Sequence, residues 1–338
     1  MSTTADASAL ADVDASAPPD AMAATPPPPQ LLAAIDGSPQ AIALDATHAY
    51  VLSSRDTKWK LSRVAKSGGS LATLDDFEAA SLSFAIDDAD AFVGTALVIH
   101  EASNGGAFRL SAFGRISSGP KAGGTRRTLY EAIGRSARGL AIGGPYLFWL
   151  NGAVNRGGGV TVDAVMRTAK GGGATTYAAT QQIGATSIAA DAANVYFAME
   201  GRLDPRAGIW PAGSIMKMPV AGGPARAITA TAPQPSALAI DDAFVYWMHG
   251  DGSVMRVAQS GGVPQSIADH ATRYVVDAER VWWIGHGGIV SRPKDGSGDA
   301  VRRDVATAPR VLAVDESHVY FADAGALWRI VKVVPRER

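Results

Sequence analysis

The sequence contains no cysteine, which excludes disulfides, thiolate metal centres and a cysteine nucleophile. It does not fix the compartment, because a large β domain is stable in an oxidising space without disulfides. A basic excess is lacking too. Lys+Arg 31 against Asp+Glu 32 gives a formal net charge of −1, which argues against a broad nucleic-acid or anionic-membrane surface. No stretch reaches the roughly 18 consecutive apolar residues of a transmembrane helix. Large apolar residues are almost missing from residues 1–29, which are rich in Ala, Asp, Ser and Pro and end in Pro26-Pro27-Pro28-Pro29. Such a segment cannot offset the entropy of ordering, so a disordered tether is expected there, followed by one folded domain over residues 30–338. The tether also lacks the basic and apolar regions of a secretion signal.

What is present is a repeat. A small-apolar run ending in Asp is followed, after about three polar residues, by a Val/Tyr/Trp/Phe cluster. It reads Ile42-Ala43-Leu44-Asp45 with Ala49-Tyr50-Val51, then Phe84-Ala85-Ile86-Asp87 with Ala91-Phe92-Val93. Further copies are Leu140-Ala141-Ile142-Gly143 with Leu147-Phe148-Trp149, and Ile188-Ala189-Ala190-Asp191 with Val195-Tyr196-Phe197. The last three are anchored on Asp241 with Val245-Tyr246-Trp247, on Asp277 with Val281-Trp282-Trp283, and on Asp315 with Val319-Tyr320-Phe321. The seven anchors are spaced 42, 56, 48, 50, 36 and 38 residues apart. A second phrase follows most copies, as in Gly252-Ser253-Val254-Met255-Arg256-Val257 before Gly261-Gly262. Each unit thus spells four short strands.

Four strands repeated every 40 to 50 residues predict an all-β chain, a single β-propeller of about seven four-stranded blades, with six or eight as alternatives. A sandwich has no reason to repeat one phrase, and leucine-rich solenoids repeat at a shorter period. The last unit ends without a fourth strand, and Gln30-Leu31-Leu32-Ala33-Ala34-Ile35 reads as that strand. It is expected to close the ring and remove an open edge.

The Val-Tyr-Trp cluster, the Gly-x-Val-Met-Arg strand and the Gly-Gly turn, clearest from Val245 through Gly262, resemble the YWTD-like and TolB-like repeats of bacterial secreted propellers, including uncharacterised lipoproteins. The pattern covers roughly residues 38–331 and departs where Met248 replaces the acidic residue after the aromatic pair. The N-terminal composition is similar to the tethers behind bacterial lipoprotein anchors. The resemblance implies an extracytoplasmic, monomeric chain, in the periplasm or at the cell surface and lipid-anchored through its tether, that binds a protein, peptide or glycan. Some related propellers, the virginiamycin-lyase-like and gluconolactonase-like proteins, are enzymes.

One face of the ring carries the short first-to-second-strand links and the Gly-Gly turns, which read as structural punctuation. The opposite face carries links that vary in length, long at residues 94–106, 151–163 and 199–213, and function is expected there. Its candidates are Glu200, Arg206 and Trp210, with Trp59 and Trp210 as stacking platforms. At the channel mouth, Arg138, Arg273 and Arg310 stand four or five residues before their anchors and could grip a carboxylate or phosphate. The histidines never fall at His-Glu-x-x-His spacing. His249, Asp251 and His286 compose the alternative, a metal-assisted hydrolase or lyase over the channel holding a divalent metal. The favoured expectation is a non-enzymatic binding or scaffold module at the cell envelope with no cofactor.

Overall fold

A computed structural model of the chain describes residues 26–79, 81–102, 108–154, 160–182, 184–201, 212–231 and 234–332. Its strands form seven four-stranded antiparallel sheets, the blades of a β-propeller. Blade 1 covers residues 38–78, blade 2 81–133, blade 3 135–180, blade 4 185–231, blade 5 236–268 and blade 6 273–304. Blade 7 takes three strands from residues 311–331 and its fourth from Gln30–Ala34, which pairs antiparallel with Ala326–Val331. The expected closure is therefore present, and both described ends of the chain meet in one blade. In each blade the first strand is innermost, and first strands of neighbouring blades pack together around the axis.

The aromatic pair of each second strand explains how blades stack. Side chains alternate across a strand, so consecutive residues serve opposite sides of the blade. Tyr246 joins the core shared with blade 6, whereas Trp247 joins the core shared with blade 4. Trp282 and Trp283 divide in the same way, as do Tyr320 and Phe321. Seven apolar clusters result, one per joint.

Polar side chains reinforce those joints on the short-turn face. Asp45 Oδ1 accepts the backbone N–H of Thr47 and His48, both at 2.8 Å, which shapes the turn. Its Oδ2 accepts the Tyr50 hydroxyl at 2.7 Å and Lys121 Nζ of blade 2 at 2.9 Å. The pattern recurs as Asp87–Lys170, Asp241–Lys294 and Asp315–Lys66, each at 2.8 Å, and as Asp277–Lys332. At the joint of blades 3 and 4 both partners are gone: Gly143 holds the acid's place, and a Cβ there would come within 2.9 Å of Val220. An apolar contact replaces an ion pair, and no lone charge is left to desolvate.

A second device spans all seven joints. Arg63, Arg167, Lys217, Arg256 and Arg329, on third strands, each donate to a turn carbonyl of the next blade. In blades 2 and 6 the third strand carries Ser118 and Ser291 instead. There the cation comes from the fourth strand, Arg127 to Lys170 O at 3.0 Å and Arg303 to Val331 O at 2.7 Å. Together with the buried aromatics, these contacts assign the repeated residues to holding the ring.

Two of the expected long loops are not loops. In blade 2, Asp90–Ala102 and Phe108–Pro120 stay paired through His100↔Leu110 and Glu101↔Arg109. In blade 3, Tyr146–Val154 pairs with Val160–Ala169 to its end. Backbone groups that leave a sheet need partners, and extending the ladder supplies them. The insertions are hairpin arms.

Candidate functional site

The long-loop face of blade 1 carries a cleft of about 620 Å³ whose lining includes Trp59 and Phe77, side chains that also pack against the apolar cluster shared with blade 2. Its rim brings Arg55, Lys58 and Lys60 together with Asp36, Asp76 and Glu78. The sequence folds this way for local reasons. Arg55 and Lys58 flank the tight turn between second and third strands, where Asp56 takes a left-handed conformation with φ 55°. Trp59 follows immediately, and its indole N–H donates to Ala79 O at 2.9 Å, which fixes the ring beside the outer strand Ala72–Glu78. Asp36 arrives from the link that closes the ring and pairs with exposed Arg55. A second cleft, of about 460 Å³, lies on the blade 2 side of the same strand and shares Asp76, Phe77 and Glu78. Among the described residues, the outer edge of Ala72–Glu78 pairs with no other strand.

The three arginines stand on the long-loop face at the entry to first strands, exposed, in blades 3, 6 and 7. Arg273 and Arg310 belong to neighbouring blades, and Arg138 to a blade three places away. Arg310 uses one N–H on Ser38 Oγ of blade 1 at 3.1 Å. Three cations around the channel mouth can hold an anion only where their side chains converge on it. Glu200 is half-buried against Gly184, and burial pushes its carboxyl above the usual range. Arg206 and Trp210 lie outside the described residues, as do residues 1–25 of the expected tether; Pro27 O accepts from Arg303 of blade 6.

The alternative constellation does not assemble as a metal centre among the described residues. Trp247 donates its indole N–H to His249 Nε2 at 2.9 Å, and Thr231 Oγ1 lies 2.8 Å from the same nitrogen. That nitrogen is therefore an occupied acceptor, and burial lowers the affinity of the ring for a proton. Asp251 turns to Ser253, accepting its backbone N–H at 2.8 Å. His286 stands against His270, with ring centroids 5.1 Å apart, and those two form a group with Asp269. Sequence reasoning missed Asp269 and His270 as partners of His286, because only blade packing brings a link of blade 5 beside a turn of blade 6.

No protein-family model matches the sequence. No curated protein matches it either. Solved structures resemble it in shape. An oligogalacturonate lyase in complex with manganese aligns at TM-score 0.58 and 11% identity, over 87% of this chain and 97% of that one. BamB from Moraxella catarrhalis aligns at 0.51 and 13%, over 89% and 85%. The computationally designed Ika8 protein aligns at 0.53 and 15%, over 90% and 100%. At these identities the likeness carries the fold and not the chemistry, since propellers serve as binding proteins and as enzymes alike. The chain is thus a seven-bladed β-propeller whose task must be argued from its own side chains.

Proposed function

We propose that this chain is a non-enzymatic binding module that takes an extended polypeptide segment on its long-loop face at blade 1. The observation that carries this reading is the cleft of about 620 Å³ that gathers three cationic and three acidic side chains, with Trp59 and Phe77 in its lining. An aromatic in the lining offers a large contact at small entropic cost, and charges of both signs suit a ligand carrying both signs. The adjoining outer edge of Ala72–Glu78 pairs with no strand among the described residues, the requirement for adding a strand from a partner. Export of the chain and its attachment to the cell envelope through the Ala/Asp/Ser/Pro-rich segment belong to the same proposal, and fractionation of expressing cells tests them.

Selection of a random peptide library displayed on phage against the purified full-length chain tests the reading. Enriched peptides are expected to combine an aromatic with charged residues and to bind at least about tenfold more weakly to Trp59→Ala, the effect of removing one aromatic contact worth ~1.4 kcal/mol. Enrichment of peptides indifferent to Trp59, or binding of glycans in place of peptides, overturns it.

A further inference from the structure

On the same face, far from blade 1 around the ring, Asp269, His270 and His286 point one ligand atom each at a common place, all within 4.8 Å of one another. Asp269 and His270 open the link from blade 5 to blade 6, directly after the strand Gln265–Ala268. His286 sits in the turn between Arg280–Gly285 and Gly288–Pro293 of blade 6.

Their placement is fixed by backbone. Ala271 N–H donates to Gly252 O at 2.8 Å, and Thr272 N–H donates to Ile284 O at 2.9 Å, so the link is tied to the turns of both blades. The approach is close enough that a Cβ on Gly252 would lie 2.8 Å from Ala271 O and 3.2 Å from His270 Cα. Both histidines occupy the left-handed region, each with φ 51°. A non-glycine residue there costs roughly 1 kcal/mol, so two facing each other are held by their surroundings. No hydrogen bond or ion pair from the three side chains to another described residue is present, apart from the contact between the imidazole rings. Three unengaged donor atoms, two nitrogen and one oxygen, converge on an exposed spot.

We propose that Asp269, His270 and His286 form a binding site for one divalent transition-metal ion at the joint of blades 5 and 6. Imidazole nitrogen selects zinc, nickel, cobalt or copper over calcium and magnesium, which take oxygen ligands. Three protein ligands leave at least one coordination position open to solvent, the arrangement of a site that exchanges water for a ligand rather than one closed for structure. The ion would also bridge two blades, adding a cross-link where the short-turn face already has Lys294 on Asp241. This site is independent of the Trp59 cleft and uses none of its residues.

Calorimetric titration of the untagged, full-length, metal-free chain with zinc chloride tests the proposal. One site is expected in the wild type, weakened at least about a hundredfold in His270→Asn and in His286→Asn, since even an outer partner of a metal ligand is worth up to that factor. Asparagine is chosen because it tolerates the left-handed region, and circular dichroism checks that each variant is folded. His249→Asn is expected to bind as the wild type does. A measurement on the unaltered protein runs in parallel: substoichiometric cobalt should broaden the imidazole proton signals of His270 and His286 before those of the other histidines. No zinc binding by the wild type, equal binding by the His286→Asn variant, or first broadening at other histidines overturns the assignment.

Discussion

The two faces of the ring are built on opposite rules. On the short-turn face the same residues return blade after blade: an Asp that shapes a turn, takes a ring donor and receives a Lys from the next blade, as at Asp45, Asp241 and Asp315. On the long-loop face almost nothing recurs. Blade 1 has a charged cleft beside Trp59, blade 5 holds a half-buried His249 against Trp247, and blades 5 and 6 share two histidines. Repetition marks where the scaffold spends its polar residues on assembly, and variation marks where side chains are released from it.

The largest test of that contrast lies on the assembly side. Asp277→Ala removes a turn-forming acceptor, the acceptor for Trp282 and the partner of buried Lys332 at once, and should cost about 3 kcal/mol in chemical denaturation. Combining Asp277→Gly with Lys332→Val copies the Gly143 and Val220 joint. The double variant should recover at least about 1 kcal/mol relative to the sum of its singles. Strict additivity would mean that the apolar joint of blades 3 and 4 does not substitute for the ion pair.

Acid sharpens the comparison next. Burial opposes ionisation of Asp45, Asp87, Asp241, Asp277 and Asp315, but hydrogen bonds from a lysine and from turn N–H groups outweigh it and hold each carboxyl below the ordinary aspartate value of 3.8. A lowered value in the folded state means stability that is whole above about 3.8 and is lost as pH falls through the folded values. The midpoint of thermal unfolding should therefore fall modestly from pH 7 to pH 5, because His249 and His318, whose rings burial makes harder to protonate in the folded state, take up protons on unfolding, and drop steeply below pH 4 as the carboxyls titrate. A fall between pH 7 and pH 5 as large as the one below pH 4 would assign the acid transition to other groups. Tyr50, pushed up to about 12 by burial and by Asp45, keeps its proton throughout.

Smaller effects follow. Arg303→Ala removes the fourth-strand cation that reaches Val331 O and should cost about 1.5 kcal/mol by the same denaturation assay. On the other face, Lys58→Glu alters an exposed rim residue and should shift stability by less than about 0.5 kcal/mol while changing which peptides bind. A loss of stability as large as that of Arg303→Ala would erase the distinction between the faces.

Much of the scaffold was legible because it repeats. The seven anchors, the aromatic pairs and the strand Gln30–Ala34 announced blades, core and closure, since one phrase had to mean the same thing in every copy. The joint partners were harder, because Lys66 and Asp315 lie 249 residues apart. A signal existed in the lysine two residues before the Gly-Gly turns of blades 1, 2 and 3 (Lys66, Lys121 and Lys170), and in the joint loss of acid and lysine at Gly143 and Val220. The candidate sites were only half legible. Trp59 could be named from its position beside a turn, but its rim needs Asp36 from the closing link. His286 could be named as well, yet its partner His270 is reached only across a blade joint. The insertions of blades 2 and 3 read as loops because length alone does not reveal that a ladder continues.

The most direct measurement is the affinity of one phage-selected peptide for three proteins: the wild type, Trp59→Ala on the long-loop face, and Asp191→Asn on the short-turn face. Binding weakened at least about tenfold by the first substitution and unchanged by the second is the predicted result. Equal binding by all three, or loss confined to Asp191→Asn, would contradict the claim that the long-loop face at Trp59 is where this propeller meets its ligand.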